Sequence, residues 1–263
     1  MNIVVCIKQV PASSDVQIDP ITGNLIRDGN NTKMNPYDLY AIETALKIKE
    51  EVGGKCHTIS MGPPSAKAVL NESLWMGCDE AALISDRKFG GADVVATSYT
   101  IAQGIKLLDF KYDLIICGKQ TTDGDTAQVG PEIAENLRIP HIAYVEEIIE
   151  IKEKSIVVSV SMDKTNEIWE LDFPCLITVD KGIFTPRLPS YKRSLNFVDY
   201  KIKEITFKDM ADQSEFNYGM KGSPTQVERM FPPIKNTDKE IWEGKSKDLG
   251  AKVANKMNDL KLL

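Results

Sequence analysis

Apolar and polar positions alternate along the first part of the chain in a pattern that predicts strands and helices in turn. Apolar or β-branched runs at 3–10, 55–61, 80–84 and 112–117 are typical of strands covered on both faces. The intervening segments carry apolar residues at spacings of three and four, which predicts helices over 37–52, 65–76 and 92–108. This order predicts an α/β fold, a mainly parallel sheet with helices on both faces.

The pattern changes after Pro140. Residues 155–161 and 167–171 predict an antiparallel β-hairpin, and residues 175–179 predict a further buried strand. Residues 196–233 show too little periodicity for a core of their own. A capping box at 237–240 predicts the start of a last helix, and an apolar stripe follows it at Leu249, Val253, Met257 and Leu260. We therefore expect an α/β domain over 1–195 and a C-terminal arm over 196–263 that packs on another chain.

Composition narrows the class of protein. The chain has 263 residues, 42% of them hydrophobic, and a formal net charge of −6. Its acidity argues against nucleic acid or an anionic membrane surface as the main partner, because both attract clustered cations. The sequence contains neither a long apolar span nor a signal-like N-terminus, so we expect a cytoplasmic protein. Its five dispersed cysteines predict buried free thiols, and with only two histidines we expect no metal site.

The strand at 112–117 runs directly into small and polar residues, GKQTTDGDTAQVGPEIAE over 118–135. Proline is tolerated in the first turn of a helix, so Pro131 predicts a helix that begins near 128–130. The amides from about 124 to 129 are then unpaired, and the hydroxyls of Thr121, Thr122 and Thr126 flank them. Such a helix start can bind a diphosphate, although an ordinary strand-to-helix turn has the same pattern. The usual GxGxxG and GxxxxGK[ST] phosphate motifs are absent.

Two other segments are expected at the same end of the sheet, since parallel strands present their carboxyl ends together. They are CIKQV at 6–10 with MNPYD at 34–38, and SMGPP at 60–64. Their backbone could hold an adenine, with Met61 in contact. The alternative is that Asn35 and Pro36 only begin a helix.

Several spaced motifs resemble one family, the β (small) subunits of electron transfer flavoproteins. They are VVCIKQV at 4–10, Asn35-Pro36, SMGP at 60–63, GKQ at 118–120, DGDTAQVGP at 123–131 and GSPT at 222–225. The resemblance implies a heterodimer with a larger α subunit, an adenine nucleotide bound to this chain, and a C-terminal arm wrapped over the partner.

Ordinary members of that family carry structural AMP and a bulkier loop, whereas DGDTAQVG is similar to members that bind a second FAD and bifurcate electrons. Gly124, Ala127 and Gly130 would leave room for a nucleotide that continues beyond its adenosine half. The segment at 90–98, GGADVVATS, also resembles the one beside that flavin, although it reads equally as a helix start. There Asp93 and Thr97 would lie on one helical face, where they could touch the flavin or nicotinamide edge.

The resemblance implies that NADH reduces a FAD on this chain, which passes electrons to ferredoxin or flavodoxin and to the α-subunit FAD. The loop Lys181 to Arg193 resembles the family's recognition loop for partner dehydrogenases, with Tyr191 where many members have leucine; the alternative is a solvated basic loop. A carrier with structural AMP and an ATP-binding stress-protein-like module remain alternatives. No protein residue is expected to be catalytic. The expected cofactor-binding residues are Cys6, Asn35, Pro36, Tyr37, Asp38, Met61, Gly90, Gly91, Ala92, Asp93, Thr97, Asp123, Gly124, Asp125, Thr126, Ala127, Gln128, Val129 and Gly130.

Overall fold

The computed structural model describes residues 1–12, 17–18, 25–26, 31–162, 164–225 and 239–262. The chain divides into two compact units, Met1–Glu228 and Arg229–Leu263. The described strands are β1 Asn2–Cys6, β2 Gln9–Pro11, β3 Gln17–Ile18, β4 Leu25–Ile26, β5 Thr32–Met34, β6 Lys55–Met61, β7 Glu80–Ile84, β8 Leu114–Gly118, β9 His141–Ile151, β10 Ser155–Ser161, β11 Asn166–Asp172, β12 Cys175–Val179 and β13 Lys203–Ile205. The described α-helices are α1 Pro36–Val52, α2 Lys67–Met76, α3 Val94–Lys106, α4 Val129–Leu137, α5 Tyr191–Asn196 and α6 Ser246–Asp259.

The main sheet has the strand order β11-β10-β9-β12-β8-β1-β6-β7-β13 among the described residues. All neighbours from β9 to β13 in that order are parallel, and only the β9-β10-β11 extension is antiparallel. The predicted α/β fold is thus confirmed. The chain moves outward from β1 to β6 and β7 and then returns to β8 on the other side of β1. The strand order therefore reverses between β1 and β8, where open α/β sheets bind their ligands.

Both faces of the central parallel strands are buried. Successive residues of a strand point to opposite faces, so Ile3 and Val5 of β1 join one core cluster while Val4 joins the other. The first cluster includes Ile42 and Leu46 of α1 from the predicted apolar stripe, and the second includes Ile133 of α4. A strand buried on both faces explains the continuous apolar runs in the sequence.

Three details differ from the sequence-based prediction. The first strand ends at Cys6 rather than Val10, and β2 pairs instead with β5 in a separate two-stranded sheet. Strand β9, which joins the hairpin to the main sheet, was not predicted. Residues 196–228 belong to the first unit rather than to an arm, because β13 pairs with β7 and the side chains of Phe207 and Tyr218 enter the core.

The second unit contains α6. This helix begins at Ser246, later than the capping box predicted, and residues 237–238 of that motif lie outside the described residues. Of the predicted stripe, Val253 is 47% exposed and Leu260 is 58% exposed, while Leu249 and Met257 are half-buried. The described helices include none that is long and apolar enough to span a membrane.

Candidate functional site

The ends of β1 and β8 approach the start of α1 very closely at the point where the strand order reverses. A Cβ atom added to Gly118 would lie 2.5 Å from Oδ1 of Asp38 and 2.8 Å from Cβ of Tyr37. Glycine is therefore required at the last residue of β8. This contact brings Pro36, Tyr37 and Asp38 to the carboxyl edge of the two central strands, as the sequence predicted for that segment.

Asn35 and Asp38 form a buried hydrogen-bonded pair beneath this edge. The Asn35 side-chain amide donates to Oδ1 of Asp38 at 2.8 Å and to the carbonyl of Gln120 at 2.9 Å, and its oxygen accepts from the amide of Thr122 at 3.3 Å. Oδ2 of Asp38 accepts from the amide of Lys8 at 2.7 Å. Burial raises the pKa of Asp38 to about 7, although hydrogen bonds from Asn35 and Lys8 act in the opposite direction.

The loop between β8 and α4 has an unusual backbone. Asp125 and Ala127 adopt left-handed conformations, with φ of 51° and 54°. Gln128 has φ −101° and ψ −29°, so left- and right-handed residues follow each other directly, an arrangement that turns successive amides toward one side. None of the described residues accepts from the amides of 126–130. The amides of 126–130 are thus available to an anion. Of the amides predicted to be unpaired, at about 124–129, that of Asp125 instead donates to the carbonyl of Thr121 at 2.9 Å.

Helix α4 begins at Val129 and is pressed against β12. A Cβ atom on Gly130 would lie 2.6 Å from Cγ2 of Thr178, so this position also requires glycine. The Thr178 hydroxyl accepts from the amide of Tyr144 at 3.0 Å and thereby ties β12 to β9. Sequence reasoning did not identify Thr178 as part of the site, because its relation to Gly130 exists only in the folded sheet.

Charged side chains around the loop are paired. The ammonium of Lys8 donates to both carboxylate oxygens of Asp123, at 2.9 and 2.8 Å, and Gln120 donates to Oδ1 of Asp125 at 3.0 Å. Burial raises the pKa of Asp123, but the Lys8 contact outweighs it and holds that pKa below its usual value. At the end of β12, Asp180 accepts from Lys119 at 2.7 Å. The two lysine pairs reduce the negative field that Asp123 and Asp180 would otherwise impose on an anion, whereas the bond from neutral Gln120 leaves the charge of Asp125 in place.

The chain matches the electron transfer flavoprotein domain model over residues 22–204. It is also 44% identical over 259 residues to an electron transfer flavoprotein subunit beta of Clostridium acetobutylicum, with 98% of each chain covered. The chain belongs to the electron transfer flavoprotein family. It is a β subunit with a role in electron transfer, and β subunits of this family normally pair with an α subunit.

Two further relatives of this flavoprotein β subunit carry more specific names. The chain is 42% identical over 261 residues to the caffeyl-CoA reductase–Etf complex subunit CarD of Acetobacterium woodii, with 98% of each chain covered. It is 37% identical over 246 residues to the protein FixA of Sinorhizobium fredii, covering 92% of this chain and 86% of the relative. Membership of a flavoprotein family is consistent with flavin or AMP binding at the edge described above.

Cys6 and Met61, the other residues predicted near an adenine, lie at the ends of neighbouring strands β1 and β6. Cys6 is half-buried and lies in register with Cys117 of β8, while Met61 is also half-buried. Side-chain contact with Cys6, together with burial, raises the pKa of the Cys117 thiol. All five cysteines are free thiols, as the sequence predicted.

The segment Gly90 to Thr97 follows β7 along the same edge and packs against residues 219–225. The carbonyl of Gly90 accepts from the Met220 amide at 3.1 Å, and Gly91 has φ 73°. Asp93 caps α3: its Oδ1 accepts from Ala96 and its Oδ2 from the amide of Thr225. Burial raises the pKa of Asp93, but these hydrogen bonds outweigh it and lower the pKa below its usual value.

This segment is joined to the loop between β8 and α4 through the first turns of α3 and α4, because Ser98 donates to Glu132 at 3.0 Å. Ala92 and Thr97 are half-buried. The Asp93 carboxylate accepts one protein hydrogen bond on each oxygen, which fixes its orientation at the start of α3 and leaves each oxygen able to accept a further donor.

Proposed function

We propose that this β subunit binds a FAD that takes a hydride from NADH and bifurcates the electrons between ferredoxin or flavodoxin and the α-subunit FAD, which serves a partner dehydrogenase. When bound, the flavin would supply the redox chemistry, and the chain would bind and orient it. The amides of 126–130 would bind the diphosphate. The backbone at Cys6 and Asn35 to Asp38, together with Met61, would hold the adenine end.

The observation that carries this proposal is the open space beside the loop at 119–128 between β8 and α4, named here the phosphate loop. A Cβ atom on Gly124 would meet only the Thr121 hydroxyl, at 3.5 Å. The backbone of Gly124 is not left-handed, so its conformation does not require a glycine. Ala127 presents only a methyl group at a left-handed position. The outer side of the loop at Gly124 and Ala127 is thus free of bulky side chains, which suits a nucleotide longer than AMP.

Two observations support the partner dehydrogenase in this proposal. In the loop from Lys181 to Arg193, Leu188 is 87% exposed and Tyr191 is 79% exposed, which suits docking of a partner dehydrogenase. The name of the relative CarD places that protein in a reductase–Etf complex, which supports the same role here. The segment Gly90 to Thr97 would lie beside the flavin by resemblance alone, because its glycines pack against this chain: a Cβ atom on Gly91 would lie 3.2 Å from Cε of Met220.

Cofactor extraction from the purified heterodimer tests the proposal. We expect two FAD per heterodimer by absorption spectroscopy and mass spectrometry, and NADH should bleach flavin absorbance in stopped flow. One FAD with one AMP, or flavins that dithionite reduces and NADH does not, would instead identify a carrier with structural AMP.

An Ala127→Phe variant tests the placement of the nucleotide. The new ring would occupy the outer side of the phosphate loop, so one FAD should be lost while the circular dichroism spectrum is retained. Ala68→Phe, at an exposed position of α2, is the matched control and should retain both flavins. A folded Ala127→Phe heterodimer with full FAD content would refute this placement.

A further inference from the structure

We propose that the side chains of Asn35 and Asp38 act as positioning groups that hold the loop at 119–128 in its phosphate-binding conformation from beneath, without themselves touching the nucleotide. This inference rests on the proposed nucleotide site. It assigns an indirect role to two residues that the sequence analysis placed in direct contact with the cofactor.

The side chains of Asn35 and Asp38 are both buried. Asn35 is 0% exposed and Asp38 is 4% exposed, so the protein itself covers both side chains. A nucleotide lying on the carboxyl edge of the sheet would contact the loop and the strand ends above them. The two side chains can therefore influence binding only through the backbone they hold.

The Asn35 side chain does not perform the usual role of its position. Asn35 is the N-cap residue of α1, where an asparagine oxygen normally accepts from an amide of the first helical turn. Here the side chain makes no such bond. Its oxygen accepts from Thr122 and its amide donates to Gln120, 85 residues away in sequence. The side chain thus bonds the loop rather than its own helix.

Asp38 completes the connection to the strands. Its Oδ2 accepts from Lys8 just beyond β1, and its Oδ1 accepts from Asn35 and lies where any side chain at Gly118 would stand. The backbone amide of Asn35 in turn donates to the backbone carbonyl of Lys8 at 2.9 Å. The pair therefore joins the end of β1, the start of α1 and the first residues of the loop.

The loop needs such support because of its own backbone. Non-glycine residues in the left-handed region are disfavoured and persist only where their surroundings fix them, and Asp125 and Ala127 are both of this kind. Only one backbone hydrogen bond closes the loop on itself, from the amide of Asp125 to the carbonyl of Thr121 at 2.9 Å, among the described residues. The bonds from Asn35 anchor the loop immediately before that turn.

The test uses the full chain in its heterodimer, depleted of nucleotide and titrated with FAD and with AMP. In Asn35→Ala we expect dissociation constants raised by about tenfold or more, because the loss of buried hydrogen bonds releases the loop. Amide hydrogen exchange over 119–128 should accelerate in the same variant. Ser73→Ala is the control, because it also deletes a fully buried polar group. Ser73 lies in α2, and its hydroxyl is hydrogen-bonded to that of Thr58 in β6.

A second variant, Asn35→Asp, gives a signature in the pH dependence of FAD affinity. It keeps the side-chain volume but sets a carboxylate against Asp38, so a proton shared by the two should partly restore their bond. FAD affinity of this variant should rise from pH 8 to pH 6, whereas wild-type affinity should fall as Asp38 loses acceptor capacity. The other titratable groups facing this pair are Lys8 beyond β1 and the thiol of Cys117 on β8, with Cys6 beside it, and all are unchanged in the variant.

The inference is overturned if Asn35→Ala and Ser73→Ala have FAD affinities within about twofold of wild type, or weaken FAD binding equally. It is also overturned if the FAD affinity of Asn35→Asp follows the wild-type pH trend. If Asn35→Ala does not fold, this pH measurement on Asn35→Asp decides the test. A wild-type heterodimer whose β subunit binds neither FAD nor AMP refutes the proposed function itself. Wild-type binding with unaffected variants refutes only the positioning role.

Discussion

At the scale of single residues, two positions of the site have no space for a Cβ atom. A Cβ atom on Gly118 would overlap the Asp38 carboxylate, and one on Gly130 would overlap the methyl group of Thr178. Neither glycine has a left-handed backbone, so close approach and not conformational freedom explains them. The prediction that Gly130 leaves room for a nucleotide is therefore wrong, because the space beside Gly130 is filled by Thr178 of this chain.

Gly130→Ala should destabilise the protein by about 1–3 kcal/mol, because its Cβ would overlap Cγ2 of Thr178. Thr178→Ser removes that methyl group and keeps the hydroxyl that accepts from Tyr144. Combined with Gly130→Ala it should recover most of the loss, and denaturant unfolding of the four proteins in the cycle measures the coupling. Independent, additive effects would show that the two residues do not touch.

At the scale of elements, the exposed loop before α5 is tied to α1 by one arginine. Arg187 donates to both carboxylate oxygens of Glu43, at 2.8 and 2.9 Å, and contacts Glu50 at 2.7 Å. Glu43 is only 2% exposed. Burial raises the pKa of Glu43, but the hydrogen bonds from Arg187 outweigh it and lower the pKa below the usual value. The ion pair therefore fixes the middle of the proposed docking loop on helix α1.

Arg187→Met should cost about 3 kcal/mol or more, because it leaves the Glu43 charge buried and unpaired. Adding Glu43→Gln should recover part of that loss, whereas the exposed Arg87→Met should change stability little. Since the folded-state pKa of Glu43 is depressed, the contribution of the pair is present above about pH 4.5 and is lost as pH falls through the folded-state value. Denaturant unfolding at pH 7 and pH 4 checks both points; a Glu43→Gln single variant as stable as wild type at pH 7 would contradict them.

At the scale of the whole molecule, the second unit is too small to bury its own apolar residues. Its one described helix, α6, has a Lys256–Glu240 ion pair at 2.8 Å and Lys252 stacked over Trp242, but Val253 and Leu260 stay open. An α-helix with an exposed apolar stripe gains stability when another surface covers it. We expect the α subunit to provide that surface.

Val253→Asp should therefore weaken the heterodimer, since binding would bury a charge at the centre of the stripe. A loss of about tenfold or more in affinity is expected. Asn255→Asp adds the same charge on a different face of α6 and is the matched control. Sedimentation velocity of the purified subunits measures both affinities, and equal weakening by the two substitutions would mean that the stripe is not the contact.

Much of the central fold could be predicted from the sequence because strands buried on both faces and amphipathic helices carry strong local patterns. Strands β6, β7 and β12 have the predicted bounds. Strand β9 was missed because three glutamates, at 146, 147 and 150, interrupt its apolar pattern, and β13 because it has three residues. Pro131 and the glycines were enough to predict the loop as a candidate anion site. The support from Asn35 could not be predicted, because Gln120 becomes its neighbour only after the sheet has formed.

The pairing of β13 with β7 has a consequence for how the chain folds. Lys203 to Ile205 lie beside Ala82 to Ile84, more than a hundred residues earlier in sequence. Until the ribosome has delivered residue 205, the outer backbone groups of β7 have no partner from β13, and an unprotected sheet edge is a template for aggregation. Synthesis thus leaves this edge open while the rest of the parallel sheet can already assemble. A nascent chain stalled before β13 should depend on chaperones that bind exposed edges, and one stalled after it should not.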